Sequence, residues 1–260
     1  MPHIKQQITK NFSNNSERYD QYARIQKYAA GHLCSYLEQL VIEPENKILE
    51  IGCGTGFVSE KLIKRFPDCC VIITDISEDM LVKCRDNLLN SGLNLDKVEF
   101  QVLDGETINN FGHYEIIISG LTVQWFEDLP GWIERAIGSM KANSKLIFSY
   151  LSDKSFPEWR DSCKQLDIPF TGNNLPEHNL LGKISRYKNI HCMWESEFKT
   201  ENYDSILHFF SELKFIGAST RLTENEKGSS LATLRKLNHF HSNGRGCEIS
   251  HHLVYGLITF

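Results

Sequence analysis

The chain has 260 residues, 41% of them hydrophobic and 23% charged, with a formal net charge of −5. That is ordinary globular composition, long enough for one large domain or a domain with an elaborated cap. The acidic balance argues against a broad nucleic-acid-binding face, and no run reaches the ~18 apolar residues of a membrane span. The N-terminal MPHIKQQITKNFSNNSERYD has no apolar core of signal-peptide length. The eight cysteines contain no CxxC and the ten histidines are scattered. The expectation is therefore a cytoplasmic chain with reduced thiols and no metal site, with no nucleic-acid or membrane partner and monomeric by default.

In chain order, residues 12–26 (FSNNSERYDQYARIQ) place Phe12, Tyr19, Ala23 and Gln26 on one face of an amphipathic helix, with Tyr22 offset. KILEIG (47–52) is a short apolar strand, and FVSEKLIKRF (57–66) carries a helical stripe. CVIITDI (70–76) is a β-branched strand. SEDMLVKCRDNLLN (77–90) is a helix with Ser77 as N-cap and acids in its first turn. VEFQVLD (98–104) and YEIIISGL (114–121) are strands, LPGWIERAIGSMK (129–141) is a helix, and KLIFSYL (145–151) is the fifth strand.

Apolar strands alternating with helices imply a parallel sheet covered on both faces. Such sheets bind ligands beyond the carboxyl ends of their strands. After residue 151 the pattern weakens. Residues 155–166, 203–217 and 224–240 read as helices, FTGNNLPEHN (170–179) as a loop, HCMWESEF (191–198) as a strand and ISHHLVYGLITF (249–260) as the closing strand. The helices between the fifth strand and the last strands would cap the ligand end. The resulting layout is one domain over 1–260: N-terminal lid helices at 1–44, a ligand-binding core at 45–151, a substrate cap at 152–248 and a last strand at 249–260.

The most informative stretch is ILEIGCGTG (48–56), where a strand runs into glycines at 52, 54 and 56 and a helix follows. Glycine permits tight turning and close approach of a ligand to backbone. A dinucleotide fingerprint would be GxGxxG, but that position is Phe57, and the spacing is GxGxG. This disfavours a nicotinamide-dependent dehydrogenase. Glu50 stands two residues before the first glycine, and the pattern resembles motif I, [DE]xGxGxG, of the class I S-adenosylmethionine (SAM) methyltransferases. A carboxylate suits a ligand with an ammonium and a sulfonium. Asp75 ends the next strand, where an acid suits the ribose hydroxyls of a nucleoside. Asp104 ends the third strand, followed by Gly105; the resemblance implies a bond to the adenine amino group, and a turn cap is the alternative reading. Ser119, Gly120 and Leu121 follow the fourth strand, where the family places the methionine end. Cys53, Gly56, Ile76 and Met80 join these as expected neighbours of the cofactor. SAM is the implied cofactor and S-adenosylhomocysteine its product. The fold expected is α/β, a Rossmann-like class I methyltransferase sheet with helices on both faces and a helical cap after strand 5.

Three flanking stretches bear on the methyl acceptor. F-x(6)-YD-x(2)-A-x(2)-Q spans Phe12–Gln26, SGLTVQWFEDL (119–129) carries VQW at the end of the fourth strand, and FFSELKFIGASTR (209–221), with LKFIGAST inside it, lies in the cap. Together with HHLVYGLI (251–258) they resemble the malonyl-acyl-carrier-protein O-methyltransferases, which start the pimeloyl moiety of biotin. The resemblance covers nearly the whole chain, although residues 151–200 match no motif. It implies methylation of the free carboxylate of a malonyl thioester, carried by acyl carrier protein or coenzyme A. That carboxylate is already ionised at neutral pH, so no general base is required; positioning and water exclusion carry the displacement. The chemistry calls for a carboxylate clamp, and Arg221 is the first candidate because its planar fork bonds both oxygens. Tyr19 and Gln26 are expected to gate the pocket or touch the methionine end. Gln124 and Trp125 are placed at the active-site mouth, and His252 is a weaker candidate. An acidic carrier protein would need a local basic patch, either Lys183, Arg186 and Lys188 or Lys141 and Lys145. The alternatives are a methyltransferase for another small carboxylic acid, such as an aconitate-type acceptor, or for a different small molecule, and a SAM-binding module without turnover.

Overall fold

The computed structural model describes residues 2–187, 189–218, 231–241 and 246–260, leaving aside the side chains of residues 2–4. Five parallel strands form the core: β1 (Lys47–Ile51), β2 (Cys70–Asp75), β3 (Val98–Val102), β4 (Ile116–Gly120) and β5 (Lys145–Leu151). β6 (His191–Tyr203) and β7 (Cys247–Thr259) extend the sheet to the order β3-β2-β1-β4-β5-β7-β6. β7 is antiparallel to both neighbours, and it pairs with β6 from Cys247 opposite Tyr203 to Thr259 opposite His191. The reversal of strand order lies between β1 and β4, where such sheets open a crevice for ligand.

Side chains alternate across each strand, so both faces carry a core. One face packs Ile48, Ile118, Ile147 and Leu253 under α3 (Arg24–Leu33), α4 (Phe57–Arg65) and α5 (Glu78–Asn90). The other packs Leu49, Ile117, Phe148 and Val254 against α6 (Leu129–Ser139) and α8 (Leu180–Ile184). Trp132 of α6 is fully buried, and its indole donates to the Gly105 carbonyl at 2.9 Å, fixing the turn after β3.

The cap has its own core. Phe156, Trp159, Phe209 and Leu237 bring together α7 (Pro157–Gln165), α9 (Ile206–Phe215) and α10 (Leu231–His241). Residues 191–203, read from sequence as part of the cap, belong to the central sheet as its edge strand.

The N-terminal region differs from the single lid helix expected over 12–26. α1 (Pro2–Asn15) stops, α2 is one turn (Tyr19–Tyr22), and α3 restarts at Arg24. The break falls on Ser16-Glu17-Arg18, directly after the run Ser13-Asn14-Asn15. There the Asn15 and Ser16 side chains bond the carbonyls of Asn11 and Ser13, competing with the helical ladder as such residues do. The break turns Tyr19 inward, where it is 9% exposed.

A row of polar contacts seats α3 and the turn after it on β6. Arg24 donates to Glu201 at 2.9 Å, and Tyr28 donates to Glu197 at 3.0 Å. His32 meets Glu195 at 2.9 Å, and Tyr36 donates to Glu195 at 2.6 Å. The four residues, spaced by four in the chain, share one helical face, and Glu201, Glu197 and Glu195 share one face of β6.

Candidate active site

The ends of β1, β2, β3 and β4 open into one cavity of about 320 Å³, which continues under the cap. The glycine loop forms its floor. Gly52, Gly54 and Gly56 all have positive φ (71°, 53° and 103°), but only one has open space where a Cβ would go. A Cβ on Gly52 would overlap the Thr122 side chain at 2.3 Å, and one on Gly56 would press on Cys84 Sγ at 3.0 Å. A Cβ on Gly54 would meet nothing nearer than the Tyr19 hydroxyl at 4.0 Å. Gly52 and Gly54 line the cavity. Gly56, expected beside the ligand, instead starts α4 against α5.

Two acids support the loop. Asp75 Oδ2 accepts from the Gly54 amide and Oδ1 from the Ser77 amide, both at 2.9 Å. Burial raises the Asp75 pKa, only partly offset by those backbone bonds. Each carboxylate oxygen has a second lone pair, so the group can still accept a ligand hydroxyl. Glu50 is 1% exposed and accepts from Ser59 at 2.6 Å. Desolvation lifts its pKa to about 8, opposed by the Ser59 bond and helped by Asp75.

Asp104 is a turn cap that also lines the cavity. Its Oδ1 accepts from the Glu106 amide at 3.1 Å as a turn cap, and its Oδ2 faces the cavity mouth paired to Lys5 at 2.6 Å. Lys5, from α1, also meets Glu106 at 2.8 Å. Burial would lower the Lys5 pKa, but the bonds to these two acids outweigh it and the pKa is raised.

After β4 the chain makes a strained turn. Leu121 has φ 49°, a region L-residues seldom occupy. Its amide is held by the carbonyl and the hydroxyl of Ser149 at 3.1 and 3.2 Å, and its carbonyl accepts from Gln124 Nε2 at 2.7 Å. The VQW segment, a 3₁₀ turn over Val123–Trp125, thus holds Leu121 at the cavity wall. Ser119, expected beside the cofactor, points away and donates to the Ile51 carbonyl at 2.8 Å, tying β4 to β1.

The three flanking stretches, far apart in sequence, meet over the loop. Phe12 lies edge-on to Trp125 with centroids 5.7 Å apart, and Tyr19 packs with Met80 and Ile216. Tyr22 stacks on Phe215 at 4.8 Å, and a Cβ on Gly217 would strike Phe12 at 2.9 Å. Cys53, Ile76, Gly105 and Gln26 also line the cavity. Burial raises the pKa of Tyr19, with the nearby Asp75 adding to the effect. Arg221 and Lys188 lie outside the described residues.

Several further lining residues were not among the candidates. Lys5, Thr55, Phe156, Trp159, Phe209, Phe210 and His251 all face the cavity. His252 does not; alternation along β7 turns it to the opposite face, where Nδ1 meets Ser152 Oγ at 2.7 Å. A neighbour of the glycine motif such as Thr55 could have been suspected. The cap aromatics could not, because nothing local marks which aromatic faces inward.

The cavity suits SAM on its own evidence. Gly54 leaves its Cβ space open. Thr55 Oγ1 and Gln124 Oε1 are buried with no hydrogen-bond partner, and such groups are costly unless an occupant satisfies them. Glu50 supplies buried acidity beside a site for a cation.

Comparison with known proteins bears on the same residues. A family described as a methyltransferase domain matches residues 48–143. A malonyl-[acyl-carrier protein] O-methyltransferase of Magnetococcus marinus is 30% identical over 97% of this chain and 92% of its own length. The chain belongs to the class I SAM-dependent methyltransferases, in the family of that relative. A second such protein, malonyl-[acyl-carrier protein] O-methyltransferase 2 of Ilyobacter polytropus, is 29% identical over 98% of this chain and 97% of its own. Among solved structures, YcgJ of Bacillus subtilis superposes with a TM-score of 0.60 at 12% identity, covering 89% of this chain and 97% of that one. This likeness concerns the methyltransferase fold alone. Among the described residues, no helix is long and apolar enough to cross a membrane, and no group of His, Cys, Asp or Glu is arranged to hold a metal ion.

Proposed function

We propose that this methyltransferase esterifies the free carboxylate of a malonyl thioester, carried by acyl carrier protein or coenzyme A, giving the methyl ester that primes pimeloyl and biotin synthesis. The observation that carries the reading is the meeting of the Phe12–Gln26, VQW and LKFIGA stretches over one cavity. These are the parts of the chain that set this family apart from other methyltransferases. Full-length similarity to two malonyl-[acyl-carrier protein] O-methyltransferases supports the same acceptor.

SAM, when bound, supplies an electrophilic methyl on a sulfonium. That methyl would pass to an acceptor carboxylate oxygen, the carbon–oxygen bond forming as the carbon–sulfur bond breaks and its electron pair stays on sulfur. No proton needs removing, so the residues act by holding and enclosing. Glu50, Gly52, Gly54, Asp75 and Asp104 would hold the nucleoside and methionine parts. Tyr19, Gln124 and Trp125 would shape the mouth through which the carboxylate approaches. Arg221 remains the proposed clamp for that carboxylate. For a carrier protein, the basic clusters are partly engaged already: Lys183 pairs with Glu177, and Lys141 with Glu115 at 3.1 Å.

The test is methyl transfer from labelled SAM to malonyl-acyl carrier protein, malonyl-coenzyme A, free malonate and aconitate offered in parallel, with product masses. Ester formed mainly on the thioesters is the expected result. Label on a free acid alone would move the enzyme to a small-acid acceptor.

A further inference from the structure

The far end of the cavity, under the cap, is walled by Phe156, Trp159, Phe209 and Phe210. One polar ring sits among them. His251 is 4% exposed, lies edge-on to Phe156 with centroids 5.1 Å apart, and its Nδ1 has no hydrogen-bond partner. An imidazole nitrogen left unpaired in an aromatic wall costs about 1–3 kcal/mol. That is a cost a bound group can remove.

We propose that His251 is a specificity residue that hydrogen-bonds an uncharged carbonyl of the acceptor, the thioester carbonyl of the malonyl group. The proposal rests on the malonyl-thioester reading above and assigns which acceptor atom the cap recognises. Burial holds the imidazole neutral, with a pKa down to about 4. A neutral ring in this setting suits a carbonyl better than a carboxylate. Glu212 also lines the cavity, but its oxygens are already engaged by Arg24 at 2.9 Å and His208 at 3.2 Å. The acceptor would then lie with its carboxylate toward the glycine loop and its thioester carbonyl toward His251.

The experiment compares malonyl-coenzyme A with S-(2-carboxyethyl)-coenzyme A, in which a methylene replaces the thioester carbonyl. It uses the full-length wild type, His251→Phe and His251→Asn. A site built to hydrogen-bond a group discriminates against analogues that lack it. We expect the wild type to favour malonyl-coenzyme A at least tenfold in kcat/KM. His251→Phe should lose at least tenfold on malonyl-coenzyme A, mostly in KM, and less than twofold on the analogue. His251→Asn, which keeps a donor, should recover part of the preference. SAM affinity and Tm report whether the variants stay intact. An unchanged preference in His251→Phe overturns the assignment, as does a wild type that treats the thioester and the thioether alike; the latter holds even if both variants fail to fold. A wild type that methylates neither coenzyme A derivative but accepts a free acid overturns the malonyl reading itself, and the proposal with it.

Discussion

The two ends of the cavity are built on different principles. The cofactor end is made of strand termini and backbone: Gly52 and Gly54 after β1, Asp75 after β2, Asp104 after β3 and Leu121 after β4. Its polar groups are bonded to neighbours a few residues away in the fold, such as Asp75 to the Gly54 and Ser77 amides. The acceptor end is made of side chains from α7, α9, the 170–175 loop and β7, with Phe156, Trp159, Phe209 and Phe210 dominating. A nucleoside has fixed hydrogen-bonding edges, and backbone can be set to meet them once. An acceptor site must change with the acceptor, so it is assembled from side chains that can be exchanged without disturbing the sheet.

The largest test of this division is at the glycines. Gly54→Val should place a side chain in the open space beside the Tyr19 hydroxyl and lower SAM affinity by at least ~100-fold, about 3 kcal/mol of lost binding. Stability should fall by only about 1–2 kcal/mol, the cost of a left-handed L-residue. Gly52→Ala should behave differently, because its Cβ would overlap Thr122 at 2.3 Å. There the main loss should be about 1–3 kcal/mol of stability from overpacking. Calorimetric titration and denaturant melts on both variants separate the two roles, and equal losses of affinity would break the distinction.

A smaller effect concerns Glu50. In the ligand-free protein its pKa of about 8 exceeds the ordinary carboxylate value of 4.5. Between those two values the folded state therefore binds more protons than the unfolded state. The contribution of Glu50 to stability thus declines as pH rises through the window. A bound cation favours the ionised form, so SAM binding should release a proton and strengthen roughly tenfold from pH 7 to 9. Glu50→Gln should abolish that slope and hold its stability better toward pH 8. A wild-type slope indistinguishable from that of Glu50→Gln would show that Glu50 does not face the cation.

At the acceptor end, Phe210→Leu should raise the acceptor KM several-fold, with SAM affinity within twofold of wild type. Phe210 is only partly buried, so the packing loss should stay below about 1.5 kcal/mol. A change in SAM affinity of similar size would merge the two ends into one energetic unit.

How much of this the sequence disclosed follows the same division. The strand at 145–151 and the Ser77 cap were readable to the residue, because apolar runs and capping chemistry are local signals. The places of Gly54, Asp75 and Asp104 on the cavity were legible from spacing, each at or just past a strand end. Gly56 and Ser119 carried the same signal, yet their roles are in packing and in holding β4 to β1. Only the direction of each vector in the fold separates those roles. The helix break at 16–18 follows a visible run of Ser and Asn, but that signal was outweighed by the apolar spacing on either side. His251 and His252 are adjacent and identical, and only strand register decides which one meets the cavity.

The smallest predicted effect lies outside the cavity, along the polar row between the α3 region and β6. Glu195, Glu197 and Glu201 look like a solvated strand face in sequence. Their partners, Arg24, Tyr28, His32 and Tyr36, look like an unremarkable helix surface. Only their meeting in the fold, one helical face against one strand face, makes them a set. The row seats the helix that carries Gln26 to the cavity. The bonds from His32 and Tyr36 lower the Glu195 pKa. Its contribution is therefore present above the unfolded carboxylate pKa and is lost as pH falls through the lower folded value. The Glu195 side chain is 53% exposed, so solvent screening keeps the sum small. Glu195→Gln and Tyr36→Phe should each cost no more than ~1 kcal/mol at pH 7, and the cost of Glu195→Gln should shrink below pH 4. A double-mutant cycle measures the coupling directly. Zero coupling would mean that α3 is held by Ile25, Ala29 and Leu33 in the core alone, and that the row sets only its register on the sheet.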